Sequence, residues 1–323
     1  MLLKLLPNET KVNFLGMRKI AAVISILLGI ASLGLFAVES LNYGIDFKGG
    51  MTVEVGYEEK AVPLAEIREI MGGLGLGQVY VKQFGAPNDV LIRIERQTGD
   101  DAAQSVAMTN VRAALAAALP DLIYRQGNII GPVVSAELKE DGALAVTVAI
   151  ILVLMYIWFR FEWQFGLGAV IALVHDIVLT VGFFAVTRLE FNLSIIAALL
   201  TIVGYSLNDT VVVYDRVREN IRKYRKMAME DVLNLSLNQT LSRTVMTSVT
   251  TLLALFALFF LGGEVIRGFT AAMIWGVVIG TYSSIFVASP LLMFFKIRRE
   301  SMILNDEKDP TVDKSRPGQF SDI

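Results

Sequence analysis

Six stretches of this sequence are apolar for long enough to cross a lipid bilayer, and that constrains the fold more than any other feature. Spanning hydrocarbon about 30 Å thick takes about 20 mainly apolar residues in a helix. The stretches 20–38, 142–159, 166–186, 192–213, 245–262 and 270–295 meet that length. The chain is 54% hydrophobic and 19% charged, against roughly 45–50% and about 25% in soluble domains. That apolar surplus sits in the long runs. The expected fold is a polytopic α-helical membrane protein with six transmembrane helices, not a soluble enzyme. The first run follows Lys4, Lys11, Arg18 and Lys19 and exceeds the roughly 7–15 apolar residues of a signal peptide, so it reads as an uncleaved anchor.

Basic residues orient the helices, because loops rich in Lys and Arg stay on the cytoplasmic side. The segment 1–19 is basic, the connection 214–244 carries Arg216, Arg218, Arg222, Lys223, Arg225, Lys226 and Arg243, and Lys296, Arg298 and Arg299 follow the last span. The short loops 187–191 and 263–269 hold only Arg188 and Arg267. Both termini are therefore expected in the cytoplasm. Residues 226–243 resemble an interfacial helix, and the polar tail 296–323 reads as disordered.

Residues 39–141 then lie outside. Met51–Tyr57, Val79–Phe84, Asp89–Glu95 and Leu122–Ile130 read as strands, and Pro63–Met71 and Ala102–Leu119 as helices. Gly85-Ala86-Pro87-Asn88 is turn chemistry, which makes a hairpin of the middle strands. The order β-α-β-β-α-β predicts a small α+β, ferredoxin-like domain.

The composition also excludes several chemistries. A formal net charge of −2 leaves no basic face for nucleic acid. With no cysteine and a single histidine, thiol catalysis, metal clusters and His-based triads find no ligands. GxxxxGK[ST] is absent, so ATP hydrolysis within the chain is not expected, nor is any cofactor.

Polar residues inside the spans are the functional candidates, since an ionised side chain at the centre of a helix costs about 2.5–3.5 kcal/mol. Asp176 lies mid-span beside His175, on a stripe with Gly168, Ala172 and Thr180. That stripe is either a packing face whose Asp accepts a hydrogen bond or part of a transport path, and His175 alone reads as structural. In the fourth span Ala197, Thr201, Tyr205 and Asp209 recur at four-residue spacing, with Gly204 and Asn208 beside them. Asp209 falls about 6 Å from the expected cytoplasmic end of its helix. The fifth span begins at Arg243, whose stripe continues through Thr247 and Thr251. Neighbouring helices would bring Asp209 and Arg243 to similar depth, where they form either a static ion pair or a proton relay. A carboxyl that alternates between an arginine-paired anion and a neutral acid can carry a proton. The steps Ala272, Gly276, Gly280, Ser284 and Ala288 in the last span mark close helix packing.

Asn42-Tyr43-Gly44-Ile45-Asp46-Phe47-Lys48-Gly49-Gly50 resembles the GxDFxGG signature of the SecD/SecF family of Sec translocase accessory subunits. Gly204–Asn220 (GYSLNDTVVVYDRVREN), Phe159–Trp163, His175–Asp176 and Gln239–Thr244 are similar to motifs of the same family. One small outer domain places the resemblance on the SecF branch. It implies membership of the resistance–nodulation–division superfamily and pairing with SecD in the bacterial inner membrane. It also implies association with the SecYEG channel, and with YajC and YidC. The implied function is proton-driven completion of preprotein export after the SecA step. The relay implied is Asp209 with Arg243. Asn208, Tyr205, Asp176 and His175 are the candidates for its support, with Asp176 and His175 acting either directly or only through packing. Gly44, Asp46, Gly49 and Gly50 read as a tight turn or as a hinge for the outer domain.

Overall fold

The structure is a computed structural model that describes residues 10–99 and 101–295. The expected tail 296–323 and the basic residues Lys4, Lys296, Arg298 and Arg299 lie outside the described residues.

Helix α1 (Arg18–Glu39) ends at Ser40, whose φ of 56° turns the chain sharply. A four-residue helix, α2 (Ile45–Lys48), follows, and Gly49 and Gly50 come next at φ 74° and 140°. A side chain rarely adopts those angles, so both positions need glycine. The chain then enters β1 (Gly50–Gly56), α3 (Leu64–Gly72), β2 (Val79–Phe84), β3 (Ala86–Glu95), α4 (Asp101–Ala118) and β4 (Ile123–Ile130). The strands form one antiparallel sheet in the order β2-β3-β1-β4. Alternation in β1 and β3 sends Met51, Val53, Val55, Val90, Ile92 and Ile94 to one face, against Ile67 and Met71 of α3 and Val111 and Leu115 of α4. The expected four-residue turn at 85–88 is tighter than predicted. Gly85 at φ 74° makes the reversal, Phe84 pairs with Ala86, and residues 86–88 already belong to β3.

Helices α5 (Pro132–Arg160), α6 (Trp163–Thr187), α7 (Leu193–Lys223), α8 (Met229–Leu261) and α9 (Gly263–Ser283) complete the bundle. The last span continues through a π-turn at Ser284–Ala288 into α10 (Ser289–Phe294). With α1, six helices are long and apolar enough to cross a membrane. Four boundaries move relative to the sequence reading. The expected loop 263–269 is already the first two turns of α9. Residues 132–141 are the start of α5 rather than part of the outer domain. The connection 214–244 is mostly helix, because α7 runs on to Lys223. The separate interfacial helix at 226–243 is instead the first half of one continuous helix, α8. Spanning length sets the minimum of a membrane helix, and polar residues with good helix propensity extend it into water.

Half of each spanning window is buried in α6, α7 and α9–α10, against 17% in α1, 11% in α5 and 17% in α8. The first group forms the interior and the second faces outward with Ile20, Ile26, Leu152, Leu253 and similar exposed side chains. Ion pairs gather several helix ends at one pole. Arg18 meets Glu230 at 2.8 Å, and Arg160 meets Asp215 at 2.8 Å.

Candidate functional site

Close approach of α9 to α7 builds the site. A Cβ on Gly276 would collide with the Ile202 side chain, and one on Gly280 would come within 3.1 Å of Ser206 Cβ. The small residues read from the sequence as a packing stripe thus bring the end of α9 against α7. There the helix changes register. In the π-turn Ser284–Ala288 the Ser289 hydroxyl donates to Ser284 O at 2.8 Å. Pro290, one residue later, supplies no backbone N–H. Such bulges occur mostly as single turns, often at functional sites.

Two carboxylates lie beside this turn, and consecutive serines reach them. Asp176 is 1% exposed and accepts hydrogen bonds from Ser206 Oγ at 2.5 Å and Ser283 Oγ at 2.7 Å. Asp209 is 7% exposed and accepts from Thr244 Oγ1 at 2.5 Å and Ser284 Oγ at 2.5 Å. Each carboxyl group thus has two hydroxyl partners from two other segments: α7 and α9 for Asp176, α8 and the π-turn for Asp209. Both serines also lie near backbone carbonyls, with Ser283 Oγ 3.1 Å from Gly280 O and Ser284 Oγ 3.0 Å from Thr281 O. A hydroxyl has one proton and two acceptor lone pairs. It can donate to an ionised carboxylate, or turn to the carbonyl and accept from a protonated one.

Asp209 and Arg243 do not form the ion pair expected from depth. Among the described residues no ion pair joins them, although the charge of Arg243 acts on Asp209. Thr244 takes the inward direction and Arg243, one residue earlier, is exposed. Successive helix residues are about 100° apart, so only one of the two can point at Asp209. The expected stripe on α7 also rotates. Ala197 and Thr201 are exposed, Tyr205 is half-buried and Asp209 is buried, since a step of four residues drifts by about 40°. Asn208 and Gly204 are exposed on the same side as Thr201, and Thr247 and Thr250 of α8 are exposed as Arg243 is. The result is a polar face on two membrane helices that otherwise turn apolar side chains outward.

Tyr205 donates to Ser248 Oγ at 3.3 Å, and Ser248 is 2.7 Å from Thr281 Oγ1. His175 Nδ1 lies 3.0 Å from Asp176 Oδ1, its Nε2 is buried without a partner, and its ring stacks on Tyr282. The sequence reading missed Ser206, Thr244, Ser283 and Ser284 as ligands of the carboxylates. Ser206 and Thr244 stand inside the quoted motifs and Ser284 inside the small-residue stripe. Their hydroxyls were the available signal.

The glycine signature lies elsewhere, at the base of the sheet. Asp46 Oδ2 accepts from Leu193 N at 2.8 Å, which caps the first turn of α7. Tyr43 bridges Phe191 in parallel, Gly44 N donates to Phe191 O at 2.8 Å, and a Cβ on Gly44 would meet Glu190 and Asn192. Arg93 of β3 closes an ion pair with Glu190 at 2.5 Å. These contacts strap the sheet's base to the α6–α7 loop, at the head of the helix that carries Asp209.

Fold and site together define a multi-pass α-helical membrane protein with two interior carboxyl groups and a small sheet attached at one pole. Residues 110–298 match the family described as protein export membrane protein SecD/SecF, C-terminal, and residues 41–61 match the SecD/SecF GG motif. Protein translocase subunit SecF of Rickettsia felis is 44% identical over 298 residues, covering 92% of this chain and 96% of that protein. The SecF subunit of Rickettsia bellii is 44% identical over 294 residues, covering 91% and 96%. Among solved structures, SecDF from Thermus thermophilus, titled a translocon-associated membrane protein, superposes with a TM-score of 0.77 at 35% identity. A super-membrane-facing form of SecDF gives 0.68, also at 35% identity. The chain aligns over 91% and 93% of its own length with these two structures and spans 40% of each. The chain belongs to the SecF family of protein translocase subunits.

Proposed function

We propose that this chain couples proton movement to preprotein export, with Asp209 as the group that gains and loses the proton. The observation that carries the reading is the setting of Asp209, a carboxyl enclosed by three helical segments and held by two hydroxyls, one of which has an alternative acceptor. Such a site accommodates both the anion and the acid without stranding a buried donor. Protonation changes which groups Ser284 joins, and so bears on the π-turn and its contact with α7. Moving a unit charge through 100 mV yields about 2.3 kcal/mol, enough to bias a two-state bundle strongly. Arg243 supplies the nearby fixed charge. Asn208 and Tyr205 extend the polar layer, and Asp176 with His175 supports the packing behind it.

The exposed polar face at Thr201, Asn208, Arg243 and Thr247 is the surface on which a SecD partner would seat. An arginine facing hydrocarbon is costly, and a partner bundle removes that cost. The SecDF relatives, of which the chain spans 40%, support this pairing. The same reading puts the chain in the bacterial inner membrane, within the resistance–nodulation–division superfamily. The α+β unit would be a ferredoxin-like periplasmic domain and both termini would be cytoplasmic, supported by the sheet order and by the basic pole. SecYEG, YajC and YidC are the proposed companions. The chain would act without a hydrolytic site of its own.

The test is export of a preprotein into inverted membrane vesicles containing the chain with SecD. Asp209→Asn keeps shape and hydrogen bonding but cannot titrate, so the proton-gradient-dependent part of export should vanish while the ATP-driven part remains. Full gradient dependence in that variant would overturn the reading.

A further inference from the structure

We propose that Tyr214 is a positioning residue for the proton-exchanging site, its hydroxyl holding the end of the π-turn against α7 so that Ser284 stays seated on Asp209. The inference rests on the reading of Asp209 as the group that gains and loses the proton, and adds to it the residue that keeps its serine in place.

Helix α7 meets the π-turn at both ends. Asp209 accepts from the hydroxyl of Ser284, the first residue of the turn. The Tyr214 hydroxyl donates to the carbonyl of Ala288, the last residue, at 3.1 Å. Asp209 and Tyr214 are five residues apart on α7, about 7.5 Å along its axis, and both are buried. The turn is thus held between two contacts from one helix. A π-bulge is a single irregular turn, and side chains that reach its backbone fix where it lies.

The surroundings of Tyr214 aim its hydroxyl and leave room for it. Its side chain is fully buried, with the ring edge-on to Phe161 and Phe165 at centroid distances of 6.1 Å and 5.1 Å. Such edge-to-face pairs favour one ring orientation. On α6, Gly168 makes the space: a Cβ there would stand 2.5 Å from the Tyr214 hydroxyl oxygen and 3.5 Å from Ala288 O. A phenylalanine would fill the place of the ring but leave Ala288 O without this donor. Ser284 has two directions open to it, towards Asp209 and towards Thr281 O. Which one it takes depends on where the turn lies, and Tyr214 sets that without touching Asp209's hydroxyl partners.

The test measures the gradient-dependent part of preprotein export in inverted vesicles containing the full chain with SecD, the proposed partner. Tyr214→Phe keeps the ring and should lower that part about three- to tenfold. Gly168→Ala, which presses on the hydroxyl from α6 and keeps the tyrosine, should reproduce the loss. The double variant Tyr214→Phe, Ser284→Ala should export no less than Ser284→Ala alone, because both changes remove the same contact. Additive losses would make Tyr214 a packing residue and overturn the inference, as would unchanged export in Tyr214→Phe. Asp209→Asn, run alongside, separates the two claims. If it abolishes gradient dependence while Tyr214→Phe does not, only the role of Tyr214 falls; if it leaves full gradient dependence, the reading of Asp209 falls and this inference with it.

Discussion

At the scale of single residues, the account turns on which side chain of a consecutive pair points inward. Thr244 and Ser284 each donate to Asp209, and hydrogen bonds to charged groups contribute about 1.5–3 kcal/mol. Thr244→Val or Ser284→Ala should therefore weaken gradient-driven export by about tenfold or more. Vesicle export assays would register this, and Ser284→Thr, which restores a hydroxyl, should recover part of the loss. Asp176→Leu would strand Ser206 in the interior, at about 1–3 kcal/mol for an unpaired group, while Ser283 can turn to Gly280 O. Asp176→Asn should unfold at a temperature near that of the wild type in detergent, and the leucine variant clearly lower. The sequence made Asp209 and Arg243 legible as polar residues at one depth, but depth along a helix carries no azimuth. A one-residue difference rotates a side chain by about 100°, so Thr244 hid behind its charged neighbour.

At the scale of elements, the signature loop and the small-residue stripe set positions for the rest. Loss of a carboxylate at a helix start costs about 1 kcal/mol, so Asp46→Ala should lower thermal stability by that order and loosen the first turn of α7, measurable as faster hydrogen exchange at 193–196. Gly276→Leu forces side-chain atoms into Ile202, and overpacking of this kind costs about 1–3 kcal/mol. Glu162 gives a pH signature outside the spans. Its partial burial pushes its carboxyl above the ordinary value of 4.5, against the opposing pull of Arg218 and Arg222. The folded state thus holds that proton more tightly than the unfolded chain. Its contribution to stability is present at low pH and lost as pH rises past the ordinary glutamate range. Glu162→Gln should flatten that limb of the stability profile in detergent.

At the scale of the molecule, spans, strand order and outer helices could be read from residue patterns because bilayer thickness and strand alternation impose fixed periods. Val79–Phe84 was read with its observed bounds, and Leu64–Gly72 within a residue at each end. Helix ends in water carry no such constraint, which is why the long polar start of α8 was taken for a separate element. The π-turn at Ser284–Ala288 was equally hidden, since a bulge depends on how α9 packs against α7 and not on local composition alone. The sheet is strapped by Asp46, Tyr43 and Arg93 to the loop that begins α7. Asp209 and this strapped loop thus lie on one continuous helix, and the contacts from the loop to the sheet are noncovalent.

The most direct test is infrared difference spectroscopy of the chain reconstituted with SecD, the proposed partner, across a pH titration, reading the C=O stretch of protonated carboxyl groups. The account predicts a band that appears on acidification, is missing in Asp209→Asn and survives in Asp176→Asn. A titrating band unchanged by Asp209→Asn would contradict it.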